Sequence, residues 1–386
     1  QLPIWVEAVI ITIGAWKIGA VVSPIALFYN HDDVRTRLQL NECAIFFCPT
    51  FYYKTDFEVQ VDMPNAYLPH LKHVVLIDRE RPRKRAFVTM REIFQIYRPY
   101  EGSVCVDADS VAAILFTSGT TGDANGVMLT HNNLRFAELE FARELDLSGN
   151  DVMFMPSPLN HAIGFQHGIL CVYLLGARLV LQQRFNAPDA IALINEEKCT
   201  YSMGATPFVF DILEQLDKTG ETLPTMRFYL SGGAHVPSSM IQWAWKHNIL
   251  LAEVYGSTES TPHTFVPIDE VLSRNGTVSG RPVHGAEVRI VDSEGKQVAE
   301  GEEGEEQSRG PQVFVGYAGR PQAAKRVLDE DGWYHSGDLA TRFDHGFYRI
   351  SGRIKDIIIR GGENLNSATR NANLEQMPKI REHEIV

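Results

Sequence analysis

The sequence predicts an α/β protein: parallel or mixed sheets layered with helices, followed by a β-rich subdomain. Two observations carry this. Short β-branched apolar runs alternate with helical patterns over residues 1–264. From about residue 265 the texture changes to brief alternating runs, such as AEVRIVD and FYRIS, separated by Gly-rich turns. At 386 residues the chain can bury a large core in more than one lobe. The expected divisions are 1–264, 265–353 and a short remainder, 354–386.

Taken in order, residues 4–17 carry a helical pattern, 20–25 a β-prone run and 32–40 a second helix. Strands are expected at 43–48 and 73–77, then a charged surface loop at 79–85. The apolar stretch 4–29 is divided by Glu7, Lys17 and Ser23-Pro24, so it reads as a buried helix and strand rather than a membrane span. Residues 111–116 form an apolar strand that opens into FTSGTTGDANGV, residues 116–127, and a helical pattern resumes at about His131. Beyond it, strands at 151–155, 177–182, 200–203, 227–230 and 249–254 alternate with helices at 164–175, 188–198 and 208–217. The acidic run 300–306 reads as a solvated turn.

Composition excludes several classes. Lys and Arg number 36 against 48 Asp and Glu, a net charge of −12, so no basic field exists to hold nucleic acid. Five scattered cysteines with no C-x-x-C pair read as reduced thiols in a cytoplasmic protein. No signal peptide or transmembrane helix is evident; peripheral contact with a membrane is compatible with this, and oligomeric state is left open. The chain enters a core helix without an initiating Met, as an internal fragment would.

The loop at 116–127 suits a phosphate. Glycines (Gly119, Gly122, Gly126) let backbone N–H groups converge on an anion, and Thr117, Ser118, Thr120 and Thr121 add hydroxyl donors. It matches neither the common P-loop nor a dinucleotide fingerprint, and alone it is equally a solvated turn. Further segments qualify it. PLNHAIG (158–164) places His161 and Gly164 between a strand and a helix. In SGGAH (231–235), Gly232 and Gly233, followed by Ala234, let a flat ligand approach the backbone. In YGSTE (255–259), Tyr255 before Gly256 and Ser257 can stack on a purine, the Thr258 hydroxyl can reach a phosphate, and Glu259 offers Mg2+ an oxygen ligand. In YHSGDL (334–339), Asp338 can accept both hydroxyls of a ribose.

These segments, with G-R-I-K-D at 352–356 and G-G-E-N at 361–364, resemble in order the motifs of AMP-forming adenylating enzymes. That superfamily comprises acyl-CoA synthetases, luciferases and peptide-synthetase adenylation domains, whose loop is written TSGTTGxPKG. The resemblance runs from Gln1 to about Asn364 and is nearest to bacterial short- to medium-chain fatty-acid–CoA ligases, through ATPF at 205–208 and RGPQVFVGY at 309–317. It implies a large adenylate-forming domain, with ATP, Mg2+ and coenzyme A as cofactor and co-substrates. It also implies that His161, Gly164 and Thr206 face the acyl substrate, that His161 orients its carboxylate, and that Thr258 and Glu259 serve catalysis. Arg353 would lie beside the ribose and phosphate, and Lys355 on the hinge to a small C-terminal domain that is essentially missing, as is about the first fifth of the large domain.

The match is imperfect. Ala124 and Asn125 replace the Pro and Lys of the loop, and Thr369, Arg370 and Asn371 alter the segment after the hinge. The expected activity is ATP-dependent conversion of a fatty carboxylate to acyl-AMP, then transfer to coenzyme A. The alternatives are a catalytically weakened nucleotide or acyl-adenylate binder, and a ligase for a carnitine-like or other small carboxylate.

Overall fold

The computed structural model describes residues 1–59, 68–84, 86–102, 104–117, 125–360 and 363–366. The central element is a seven-stranded sheet. Five of its strands, Val152–Met155, Arg178–Leu181, Tyr201–Gly204, Phe228–Gly232 and Leu250–Tyr255, run parallel. Every residue of the first, third and fourth is buried, as strands covered on both faces by helices must be. Two short antiparallel strands, Thr264–Phe265 and Arg281–Pro282, extend one edge.

The covering helices follow from sequence pattern. Thr206–Thr219 buries Val209, Ile212, Leu213 and Leu216, the i, i+3, i+4, i+7 stripe of an amphipathic helix. Ala187–Glu197 is capped by the Asn186 side chain and has Pro near its first turn. His131–Glu144 starts with a capping box between Thr130 and Asn133.

A smaller parallel sheet, Ile45–Pro49, His73–Ile77 and Val88–Thr89, packs with the helices Val6–Lys17 and His31–Leu40. An antiparallel four-stranded sheet follows the central one, built of Glu287–Val291, Glu303–Arg309, Tyr334–Arg342 and Tyr348–Arg353. The fold class and most elements agree with the sequence reading.

Three local expectations are corrected, and one strand was not foreseen. Residues 20–25 form no strand: Val22 alone bridges to Ala113, and Pro24 lacks the N–H that would continue the ladder. The helix expected from about His131 is present as His131–Glu144, but an unforeseen strand, Asn125–Thr130, precedes it and returns antiparallel on Val111–Thr117 with Phe116 opposite Gly126. Residues expected as one α-helix at 164–175 are a π-helix, Ile163–Cys171, continued by Val172–Leu175. The acidic run is not a solvated turn, because Glu303–Arg309 is a strand and Glu306 on it is buried.

Candidate active site

Parallel strands end at the same edge of a sheet, and ligands of open α/β sheets bind outside those carboxyl ends. Four sequence-predicted segments leave the central sheet there. PLNHAIG follows Val152–Met155, Thr206 follows Tyr201–Gly204, Gly233-Ala234 follows Phe228–Gly232, and the Gly256–Glu259 turn follows Leu250–Tyr255. Thr206 Oγ1 lies 3.1 Å from Ser231 Oγ, tying two of these ends together. Gly233 has φ +90°, a conformation that favours glycine, and faces open space.

The turn after Tyr255 is tightly built. A Cβ on Gly256 would fall 2.5 Å from Pro262 Cα. The Ser257 N–H donates to the Ser260 carbonyl at 2.8 Å, and the Ser260 N–H to Ser257 Oγ at 3.0 Å. This turn carries Thr258 and puts Glu259 inside, where its Oε1 accepts from the Tyr317 hydroxyl at 2.8 Å. Burial raises the Glu259 carboxyl above its ordinary range, partly offset by that hydrogen bond. Tyr317 belongs to the strand Gly316–Tyr317 and pairs with Val127 of the hairpin. One tyrosine therefore joins the exit of the phosphate-type loop to Glu259.

On that hairpin Thr117 pairs with Asn125, whose Oδ1 accepts from Arg320 Nη1 at 3.3 Å. Gly126 is required by packing: a Cβ there would lie 2.9 Å from Ile114 Cγ2. Ser118, Gly119, Thr120, Thr121 and Gly122 lie outside the described residues, as do Asp123, Ala124, Gly361, Gly362 and residues 369–371.

Asp338 comes from the four-stranded sheet. The pairing of Glu303–Arg309 with Tyr334–Arg342 shifts register between Glu305 and Gln307. Ser336, Gly337 and Asp338 bulge there, with Ser336 Oγ donating to the Glu306 carbonyl at 2.7 Å and the Asp338 N–H to Ser336 Oγ at 3.0 Å. Such a bulge re-aims a side chain. Asp338 Oδ2 accepts from the Tyr255 hydroxyl at 2.8 Å, and Oδ1 lies 3.3 Å from Arg353 Nε. Burial raises the Asp338 carboxyl, against the opposing pull of Tyr255 and Arg353. Lys355 is exposed two residues beyond Arg353.

His161 sits at the mouth of its segment, exposed, with Nδ1 accepting from the Ile163 N–H at 3.3 Å. Desolvation by the surrounding protein, then the nearby His167, lowers its pKa. Gly164 is held against the Pro158 carbonyl, which a Cβ would approach to 2.3 Å.

The structure thus brings together Tyr255, Glu259, Asp338 and Arg353, residues up to 98 positions apart in sequence. Sequence reasoning missed Tyr317, Arg320, His263 and Glu306. Tyr317 closed a quoted motif but carried no chemistry there, and Glu306 was hidden in an acidic run. Among the described residues no group of three or more His, Cys, Asp or Glu is arranged to hold a metal ion. A single carboxylate such as Glu259 fits Mg2+, which keeps waters and is held largely by substrate phosphates.

The family model for AMP-binding enzymes matches residues 1–318. The chain belongs to the AMP-binding enzyme family. The medium-chain fatty-acid–CoA ligase of Escherichia coli K12 is 40% identical over 383 residues, covering 99% of this chain and 67% of that protein. The mitochondrial medium-chain acyl-CoA ligase ACSF2 of Macaca fascicularis is 33% identical over 351 residues, covering 85% of this chain and 56% of its own length. ATP-bound MatB from Rhodopseudomonas palustris superposes with a TM-score of 0.85 at 25% identity, covering 97% of this chain and 72% of that one. The chain thus spans about two thirds of the first curated relative and a little over half of the second. The family and fold expected from the motifs are those found. Among the described residues no helix is long and apolar enough to cross a membrane.

Proposed function

We propose that this chain is the nucleotide- and acyl-binding part of an AMP-forming acyl-CoA ligase. In this reading a fatty carboxylate attacks the α-phosphate of ATP, giving acyl-AMP and pyrophosphate, and the thiol of coenzyme A then displaces AMP. The observation that carries it is the convergence of Asp338, Tyr255, Arg353 and Glu259 on the carboxyl edge of the central sheet. The ligase names of the relatives support it, and they do not favour the weakened-binder alternative.

Asp338 would accept the ribose hydroxyls, with Arg353 beside them. Tyr255, Gly256, Ser257, Gly233 and Ala234 would border the adenine. Thr117, Thr258 and the loop would donate to phosphates, together with the segment through Gly126. Glu259 would hold Mg2+, which supplies charge neutralisation at the phosphates when bound. His161 is kept mainly neutral by its lowered pKa and would orient the carboxylate by hydrogen bonding, near Gly164 and Thr206. Lys355 would lie on the hinge. Reaction by this route depends on positioning and charge stabilisation, and no side-chain nucleophile is needed. A cytoplasmic setting, where ATP and coenzyme A are supplied together, belongs to the same reading.

The test is calorimetric binding of non-hydrolysable acyl-adenylate analogues of increasing chain length. Each buried CH2 contributes about 0.8 kcal/mol, so affinity should rise about fourfold per carbon until the pocket is full. A peak at medium length supports the reading; a folded protein that binds none of the series refutes it.

A further inference from the structure

Glu306 does not belong to any motif read from the sequence, yet its side chain is 1% exposed and lies beside the proposed nucleotide site. A carboxylate taken out of water must be matched by charge or hydrogen bonds. Its match is His263, whose Nε2 is 3.1 Å from Glu306 Oε1. The other ring nitrogen, Nδ1, is 3.1 Å from the Thr261 carbonyl and 3.2 Å from Ser260 Oγ, which itself accepts from Ser308 Oγ at 2.9 Å. A carboxylate on one side and a carbonyl on the other both accept, so the doubly protonated ring satisfies both. Burial pulls the pKa of His263 down, but hydrogen bonding and charge from Glu306, with the backbone contacts, outweigh it and raise it.

This pair touches the site through Tyr255. The His263 ring meets the Tyr255 ring edge-on, with centroids 5.4 Å apart. The Tyr255 hydroxyl is 3.3 Å from Glu306 Oε2 and 2.8 Å from Asp338 Oδ2. It has one proton and two carboxylates to serve. Arg353 faces Asp338 from the neighbouring strand, and Tyr348 lies within electrostatic range of Glu306. With His263 charged, Glu306 is neutralised and the Tyr255 proton is left to Asp338. With His263 neutral, Glu306 becomes a second uncompensated anion competing for that hydroxyl.

We propose that Glu306 and His263 are positioning residues for the nucleotide, a buried charge pair that holds Tyr255 on Asp338. The proposal rests on Asp338 being the ribose ligand. Two consequences follow. ATP affinity falls as pH rises through the titration of His263, above the usual histidine value of about 6.5. That fall disappears when Glu306 carries no charge.

The experiment is ATP binding by calorimetry between about pH 7 and 9.5 at saturating Mg2+, which keeps the ATP phosphates ionised across the range. It compares the unaltered protein with Glu306→Gln, Tyr255→Phe and Asp338→Asn. The expected result is an affinity that drops at least threefold across this range in the unaltered protein and stays flat in both Glu306→Gln and Tyr255→Phe. Tyr255→Phe keeps the ion pair and removes only the hydroxyl, so it decides the matter should Glu306→Gln fail to fold. A flat profile in the unaltered protein, or the same slope in the folded variants, overturns the proposal. If Asp338→Asn weakens ATP while the slopes are unchanged, only the positioning role fails. If Asp338→Asn leaves ATP affinity untouched, the nucleotide reading fails, and the positioning role with it.

Discussion

Replacing Asp338 by Asn is expected to weaken ATP binding about 30- to 150-fold while leaving the fold as stable as before or more so. The magnitude follows from its surroundings. Its carboxylate is largely buried, with one oxygen engaged by Tyr255 at 2.8 Å and the other near Arg353 at 3.3 Å. Hydrogen bonds to a charged group contribute roughly 1.5–3 kcal/mol. Asn keeps one acceptor but turns an N–H2 towards a second donor, so a loss of about 2–3 kcal/mol is expected, which is the stated change in affinity. Stability should move the other way. The folded-state pKa of Asp338 is raised, with burial the largest cause. The stability it contributes is therefore fully present below the ordinary carboxylate range and is lost as pH rises through the folded value. At neutral pH the ionised group is a cost, which the neutral amide removes. Calorimetry gives the affinity, and thermal unfolding between pH 4 and 8 gives the stability. A Kd within threefold of the unaltered protein would refute the ribose assignment. A sharp loss of stability would show that Asp338 serves the fold instead.

Further expectations concern the same site and its support. Glu259→Gln should lower Mg2+-dependent pyrophosphate exchange about 100-fold or more without lowering stability, since its carboxyl is also raised by burial; exchange measured across a Mg2+ titration checks this. Asn125→Lys restores the cation of the resembled loop, and with a charge-assisted bond contributing roughly 1.5–3 kcal/mol the pyrophosphate-exchange rate should rise about 10- to 100-fold; an unchanged rate would show that the lost charge is not limiting. Gly256→Ala drives a Cβ into the Pro262 backbone at 2.5 Å, and urea denaturation should show a loss of about 1–3 kcal/mol along with weaker ATP binding. His167→Ala leaves Glu138, its fully buried partner at 3.0 Å, without an imidazole to match it, and the same assay should show a loss of about 3–5 kcal/mol.

What was legible in the sequence was local. Continuous apolar runs announced the buried parallel strands, and the 3.6-residue stripe announced Thr206–Thr219, because both patterns are set by neighbours along the chain. The motifs at 158–164, 231–235 and 255–259 were found because each follows such a strand, and parallel strands carry whatever follows them to one edge. What escaped depended on pairing between distant segments. Asn125–Thr130 was unread as a strand because half of its support is pairing with Val111–Thr117, which no pattern local to 125–130 reveals. The same holds for chemistry. Tyr317 reaches Glu259 across 58 positions, and Tyr255 reaches Asp338 across 83. Glu306 is the sharpest case. In sequence it is one acidic residue among several, and its four neighbours of like charge argued for water. The strand Glu303–Arg309 is irregularly paired opposite Glu306, however, and Glu306, Gln307 and Ser308 are all buried while Glu303 stays outside. An inward carboxylate survives only where another strand or turn delivers a cation and a donor, and His263 and Tyr255 come from the edge of a different sheet. A charge run therefore reports solvent only until its pairing is known: on a strand, part of it can face the core, and the buried part is where function is to be sought.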